Sequence, residues 1–376
     1  MFDVVAITAA NAAQARGYRE QVRWRRKRGM LPESIEVLVV PDPGGRRIGS
    51  LGATVNVLKR LGDLRGKKVF ICHSGGDARR TPAYAAMGKA FTPMPLGCGV
   101  AMFDLILSNM VKLPMPRSGG VLVACGDVLI TFDFAAADLS SPGVTGFGFR
   151  DTAERAARHG VYQVERVIAS ASPACRLFHV KNFLQKPRFS GGRHIVDTGI
   201  MWIDCQTATR MARRGWKTGD LYIEFAAALL DGFAPFHVNV ARRCDFFHIG
   251  SSRELLGCMT APSRTSRLYG FGVKDPNLVG RDLFSAAGEN IVTNVPQTAF
   301  SPQPSALNPQ LSKGECVTFL PVGKSAWVEV RYSIDDNFKS DGKWEKKLYR
   351  LGRRRMSLAE LMPQVNHHRL LKAREP

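Results

Sequence analysis

The sequence predicts an α/β protein: a mostly parallel sheet with helices against it, followed by a smaller β-rich region. Three observations predict it. Short, β-branched apolar runs in the first part of the chain are each followed by a turn and then a helical pattern, the order that builds a parallel sheet. Glycine-rich turns and an aspartate stand directly after those runs, at the strand ends where ligands of such sheets gather. Past about residue 245 the texture changes to short apolar runs broken by Pro, Asn, Gly and Ser.

Asp3–Thr8 is apolar and β-branched, as a buried parallel strand requires. Ala9-Ala10-Asn11 turns the chain into a helix on which Ala12, Ala15, Tyr18 and Val22 share a stripe, with Arg16, Arg19, Arg23 and Arg26 largely off it. Ser34–Val40 reads as the second strand and the glycine-rich stretch Asp42–Thr54 as the turn after it. Ala53–Leu61 is a helix through Val55, Val57, Leu58 and Leu61. Lys68–Cys72 is the third strand and opens into a second glycine-rich turn, His73–Pro82. Gly120–Cys125 is the fourth and ends in Gly126-Asp127. Further on, Ile291-Val292, Cys316–Leu320 and Ala326–Val330 read as short strands, and residues 297–312 as a loop or linker. Ser357–Leu371 reads as an amphipathic helix, with Ser357 and Glu360 spaced for a capping box. The expected organisation is an α/β domain over residues 1–243 and a β-rich domain over 244–376.

A chain of 376 residues can bury a large core. No apolar run approaches the roughly 18 residues of a membrane span. Met1–Thr8 lacks a basic leader, so the expectation is a cytoplasmic protein with no membrane partner. The eight cysteines are scattered without a Cys-x-x-Cys pair, which argues for reduced, buried thiols over a zinc site or a disulfide framework. No Ser/His/Asp order or His-x-x-x-His pair favours hydrolase or zinc chemistry. The formal net charge is +21, with basic runs at Arg23–Arg28 and at Arg350 with Arg353–Arg355. Without zinc-finger spacing or an aromatic RNA-binding signature, this reads as the solvated basic face of a protein handling anionic small molecules, with no specific nucleic acid. A non-catalytic, nucleic-acid-binding or regulatory module is the alternative.

Glycine lets backbone N–H groups close on an anion, and nearby Arg and Lys supply the opposing charge. In the second glycine-rich turn, Gly75 and Gly76 would hold a polyphosphate, with Arg79, Arg80 and Lys89 close in sequence. In the first, Gly49, Ser50, Gly52 and Thr54 would form a nucleotide cradle at a helix start; a helix packed tightly through glycines has the same pattern. Two such turns point to a nucleoside triphosphate. Asp127, directly after a strand, is the expected Mg²⁺ ligand. Asp197, in Val-Asp-Thr-Gly, is the second carboxylate, with an ordinary turn as its alternative.

In order and spacing, these segments resemble the fucose-1-phosphate guanylyltransferase family nearly end to end. The matching pieces are Thr8–Gln14, Gly44–Thr54, His73–Gly76 with Arg80, Met87–Pro93, Gly126-Asp127, Phe183–Pro187, Asp197–Gly199, Phe247–Glu254 and Ile334–Asp336. The resemblance implies a nucleotidyltransferase-type, Rossmann-like α/β domain followed by an irregular, β-helix-like domain. It implies a Mg²⁺-dependent reaction of GTP with L-fucose-1-phosphate, giving GDP-L-fucose and pyrophosphate. In that reaction Lys89 would neutralise charge at the α-phosphate. Arg80, and less directly Arg79, would brace the pyrophosphate, and Lys186 would hold the sugar phosphate. His248, at the domain transition, is either a sugar contact or a structural histidine. Leu51 stands where the family usually has another glycine, Thr81 replaces a common leucine, and the second domain is short. These departures leave another sugar-1-phosphate, such as a heptose, or another nucleotide open. A sugar kinase activity is not expected, and neither the base-reading residues nor the oligomeric state is legible.

Overall fold

A computed structural model of the chain describes residues 1–97, 99–172, 174–270, 277–279, 281–296 and 311–373. In chain order it begins with β1 (Val4–Ala9), α1 (Ala12–Lys27), β2 (Glu36–Pro41), α2 (Gly49–Leu61), β3 (Lys68–His73), α3 (Met102–Met110) and β4 (Gly120–Cys125). It continues with β5 (Val128–Thr131), β6 (Val144–Thr152), α4 (Ala153–Ala156), β7 (Gly160–Ser172), β8 (Cys175–Gln185), β9 (Arg193–Asp204) and α5 (Cys205–Arg214). A turn of π-helix (Leu221–Phe225) runs into α6 (Ala226–Leu230), followed by β10 (Phe236–Ala241) and β11 (Asp245–His248). The remainder comprises α7 (Ser252–Thr260), α8 (Arg264–Tyr269), β12 (Asn277–Val279), β13 (Asp282–Ser285), β14 (Asn290–Thr293), β15 (Glu315–Val322) and β16 (Ala326–Ser333). It ends with β17 (Tyr349–Leu351), β18 (Arg354–Met356), α9 (Leu358–Leu361) and α10 (His367–Lys372).

The chain forms two compact units. One gathers Met1–Asn11, Pro32–Gly75 and Ile106–Phe246; the other gathers Ala12–Leu31, Gly76–Leu105 and Phe247–Pro376. The late divide lies three residues past the one read from composition, between Phe246 and Phe247. The second unit also takes α1 and residues 76–105, which sequence order alone assigned to the first.

The first unit is built on a nine-stranded sheet in the order β2-β1-β3-β4-β9-β6-β10-β8-β7. β2, β1, β3 and β4 are mutually parallel, as are β6 and β10. β9 is antiparallel to both β4 and β6, β8 to β10, and β7 to β8. Only β9 and β8 therefore run against the other strands, and the expected mostly parallel sheet is present. Every residue of β1 is buried, which explains its unbroken apolar run. Val69 and Ile71 of β3 and Val121 and Val123 of β4 share a core with Val55 and Leu58 of α2 and Ala208 and Met211 of α5. That core fixes where the carboxyl ends of β1, β3 and β4 lie.

In the second unit, α1 buries Ala15, Tyr18, Val22 and Arg25. A five-stranded sheet, β12-β13-β14-β15-β16, supplies the β-rich part. Its pairings are antiparallel apart from β14 with β15. Stacked parallel coils of the β-helix kind are not present among the described residues. Two helices, α7 and α8, interrupt the region read as strands and loops; Ser251 and Ser263 cap them through their hydroxyls. The capping box of Ser357 and Glu360 forms as expected, but the helix expected over Ser357–Leu371 is broken. Pro363 sits in a 3₁₀ turn (Met362–Gln364), and Asn366 caps the separate α10. Residues 297–310 of the expected linker lie outside the described residues.

Candidate active site

Within the first unit, the ends of β1, β3 and α2 meet at one histidine. His73 Nδ1 is 3.2 Å from Thr8 Oγ1, and its Nε2 is 3.0 Å from Thr54 Oγ1. The Ser74 N–H donates to Thr8 Oγ1 (3.2 Å), and the Gly126 N–H donates to the His73 carbonyl (2.9 Å). Burial pushes the His73 imidazole down to about 4, so it is neutral near physiological pH and serves as a hydrogen-bonding bridge. Thr54, expected in a nucleotide cradle, is fully buried in this bridge. Gly75 follows it in the chain and lies beside the backbone of Ala9 and Ala10.

The first glycine-rich turn becomes the first turn of α2, which begins at Gly49 rather than at Ala53. A Cβ on Gly49 would lie 2.1 Å from the Gly219 carbonyl oxygen, and one on Gly52 would lie 2.8 Å from that of Lys217. The Leu51 N–H donates to the Gly219 carbonyl (2.9 Å), and the Gly219 N–H to the Ile48 carbonyl (3.0 Å). Ser50 Oγ accepts from the Leu221 N–H (2.8 Å). The side of Gly49, Ser50 and Gly52 read as a cradle thus meets the 217–221 segment. The glycines are small there because a second backbone passes against them.

That segment leads to a group of acids at the end of β4. The Asp220 carboxylate accepts from the Tyr222 N–H (2.7 Å), and Tyr222 Oη donates to the Gly199 carbonyl (2.8 Å). Tyr222 Oη also lies 3.7 Å from Cys125 Sγ. Asp197, on β9, accepts from Tyr162 Oη (2.8 Å). Gly148 and Gly146 of β6 pair with Asp197 and Met201, so residues 198–200 bulge out of the ladder. Such a bulge re-aims a side chain beside a site. Burial pushes the Asp197 carboxyl up to about 7, against hydrogen bonds from Tyr162, Gly199 and Thr198; nearby Asp220 raises it further. Burial pushes the Cys125 thiol up to about 12, and Asp127, Asp197 and Asp220 all add to it.

Among the described residues, no three His, Cys, Asp or Glu side chains form a complete protein cage for a metal. Mg²⁺ uses one or two carboxylates with phosphate oxygens and water, and Asp127 and Asp197, acidic neighbours of one thiol, are oxygen donors of the fitting kind.

Lys186 is exposed and follows β8 directly. Its φ is +48°, a left-handed conformation that costs a lysine free energy, and its N–H donates to the His159 carbonyl (3.0 Å). The preceding Gln185 pairs in register with Gly160 and donates through Nε2 to the Tyr222 carbonyl (2.8 Å). A Cβ on Gly160 would lie 3.3 Å from Asp197 Cβ. Lys186 therefore emerges from the strand end that flanks Asp197 and Tyr222.

Gly76, Arg79, Arg80, Lys89 and His248 belong to the second unit. The Gly76 carbonyl accepts from Gln14 Nε2 (2.8 Å). Arg79 is engaged by Asp77 (3.3 Å) and Glu345 (2.8 Å) and lies over the Trp344 ring, whereas Arg80 is exposed. Lys89 opens a 3₁₀ turn after Gly88, where a Cβ would strike the Tyr18 hydroxyl at 2.2 Å. His248 Nδ1 is 3.4 Å from Glu254, whose carboxylate also accepts from the Gly250 N–H.

Sequence reasoning missed His73 as a bridge, and also Tyr162, Tyr222 and Asp220. Asp220 carried a signal: Thr218-Gly219-Asp220 is a turn before an apolar run. The two tyrosines carried none, because their partners lie far away in sequence.

Residues 62–214 match the model of the fucose pyrophosphorylase domain. The chain is 35% identical over 170 residues to fucose-1-phosphate guanylyltransferase of Mus musculus, covering 43% of this chain and 29% of that protein. It is 26% identical over 373 residues to L-fucokinase/L-fucose-1-P guanylyltransferase of Bacteroides fragilis, covering 80% of this chain and 38% of that protein. The crystal structure of HddC from Yersinia pseudotuberculosis aligns with 69% of this chain and 98% of its own, at 12% identity and a TM-score of 0.37. The chain thus spans well under two thirds of the length of these curated relatives, and the residues matched by the family model include β4, Asp127, Lys186 and Asp197. Over residues 62–214 the chain is thus similar to the fucose pyrophosphorylase domain.

Proposed function

We propose that the protein is a sugar-1-phosphate guanylyltransferase that makes GDP-L-fucose from GTP and L-fucose-1-phosphate. A phosphate oxygen of the sugar phosphate attacks the α-phosphorus of GTP. The bond from that phosphorus to the bridging oxygen of the β-phosphate breaks, and pyrophosphate leaves with its electron pair. Such chemistry asks for positioning and for charge aimed at the phosphate oxygens, with little covalent help. The observation that supports the reading is that Asp127 and Asp197 both act electrostatically on the Cys125 thiol at the end of β4, within the matched residues. Mg²⁺, when bound by these carboxylates, would offset the negative charge of the triphosphate. Lys186 holds the sugar phosphate. The resemblance assigns Lys89, Arg80 and Arg79 to the α-phosphate and the departing pyrophosphate, and Gly75-Gly76 to the triphosphate.

The test is pyrophosphate release by the purified chain, with the four nucleoside triphosphates crossed against L-fucose-1-phosphate, a heptose-1-phosphate and other sugar-1-phosphates. GTP with L-fucose-1-phosphate is expected to give the highest kcat/KM. Asp127→Asn and Lys186→Ala should each lower it by on the order of 10²–10³ with the fold intact. Turnover near wild type in both variants removes their roles, and a different preferred pair reassigns the substrate.

A further inference from the structure

The contacts of the first glycine-rich turn leave a question that the proposed reaction does not answer. Gly49, Ser50 and Gly52 look like a phosphate-binding turn, yet the Leu51 N–H, the Ser50 hydroxyl and the missing side chains of Gly49 and Gly52 all face the 217–221 segment. Three hydrogen bonds join the two: Leu51 to Gly219, Gly219 to Ile48, and Leu221 to Ser50. Beyond them the chain enters the π-helical turn Leu221–Phe225, a geometry rare in helices and frequent at functional sites. The turn is anchored from the other side as well, where Gln185 donates to the Tyr222 carbonyl. Its Tyr222 hydroxyl reaches both the Gly199 carbonyl and Cys125.

We infer that the first glycine-rich turn is a clasp. It holds the Asp220–Tyr222 segment against Gly199, Cys125 and Asp197, and Gly49, Ser50 and Gly52 act on the reaction as positioning residues through that segment. The inference rests on the proposed function for its catalytic consequence, though not for the clasp itself. Two backbones approach where only glycine fits, and the hydroxyl of Ser50 closes the gap between them. Loosening the clasp lets Tyr222 withdraw, which frees the Gly199 bulge and uncovers the Cys125 thiol.

Gly49 has a left-handed φ of +73°, so its replacement strains the backbone directly. Ser50→Ala is the cleaner probe, because it deletes the acceptor without adding volume. Its expected kcat for pyrophosphate release is about tenfold lower, with the KM for GTP within about twofold of wild type. Iodoacetamide labelling of Cys125, followed peptide by peptide, is expected to quicken. Ser50→Thr keeps the hydroxyl and should restore both measurements. A raised KM for GTP, with kcat and Cys125 labelling unchanged, makes the turn a phosphate cradle and overturns the inference. Labelling does not depend on turnover. If the wild-type chain releases no pyrophosphate with any substrate pair, the proposed function fails, while the labelling rates still decide the clasp.

Discussion

Asp197 shows how far a single residue's behaviour is set by its surroundings. Its carboxyl is buried and rises to about 7 in the folded chain, from an ordinary value of 3.8. Between those values the folded state holds a proton that the unfolded state has released. By linkage, stability therefore falls as pH rises through this window, and the full cost is present above it. Asp197→Asn keeps an acceptor for Tyr162 and the backbone amides while removing the charge. The variant should melt higher than wild type at about pH 8 and alike at about pH 4, while losing pyrophosphate release. Thermal melts across pH check this, and parallel curves would refute it. The Val-Asp-Thr-Gly motif marked Asp197 as a residue of interest. It carried no sign of Tyr162, which lies on another strand, so the raised carboxyl was not legible.

At the level of elements, α1 joins a legible pattern to a misread residue. Ala15, Tyr18, Val22 and Arg25 recur at helical spacing and are the buried stripe. Arg25 was grouped with the solvated basic run Arg23–Arg28, although its spacing places it seven residues after Tyr18. In the fold its side chain is only 2% exposed. It donates to both oxygens of Asp104 (2.8 and 3.1 Å) and to Gln21 Oε1 (2.6 Å), and it lies 4.7 Å from the centre of the Phe91 ring. Arg25→Met leaves Asp104 without its cation and should cost about 3–5 kcal/mol, whereas adding Asp104→Leu should recover much of the loss. Denaturant melts of the single and double variants measure this; equal losses would show that the ion pair is not the cause. The early start of α2 belongs to the same scale. Glycine disfavours helix, so sequence pattern began it at Ala53, but contacts with the 217–221 segment extend it to Gly49.

For the whole molecule, the net charge of +21 bears on association more than on fold. The two long basic runs are accounted for differently: Arg25 is consumed internally, while Arg350 and Arg353–Arg355 are exposed on the β17–β18 hairpin. Binding to duplex DNA should accordingly be weak, non-specific and largely lost by about 0.2 M salt, as titrations at several ionic strengths would show. Tight, sequence-selective binding that survives salt would instead favour the nucleic-acid module. Among the described residues no helix is long and apolar enough to cross a membrane. The order of strands, turns and helices in the α/β part, the placement of Asp127 at a strand end and the capping box at Ser357 were determined by the sequence alone. Each depends on periodicity or on residues within a turn of one another. Which backbone fills the glycine-rich turn, which tyrosine holds Asp197 and which arginine is buried were decided only by the tertiary structure. Those contacts join residues tens to well over a hundred positions apart, such as Ser50 with Leu221 and Tyr162 with Asp197. Their free energy comes from burial and hydrogen bonding, which exist only once the strands have assembled.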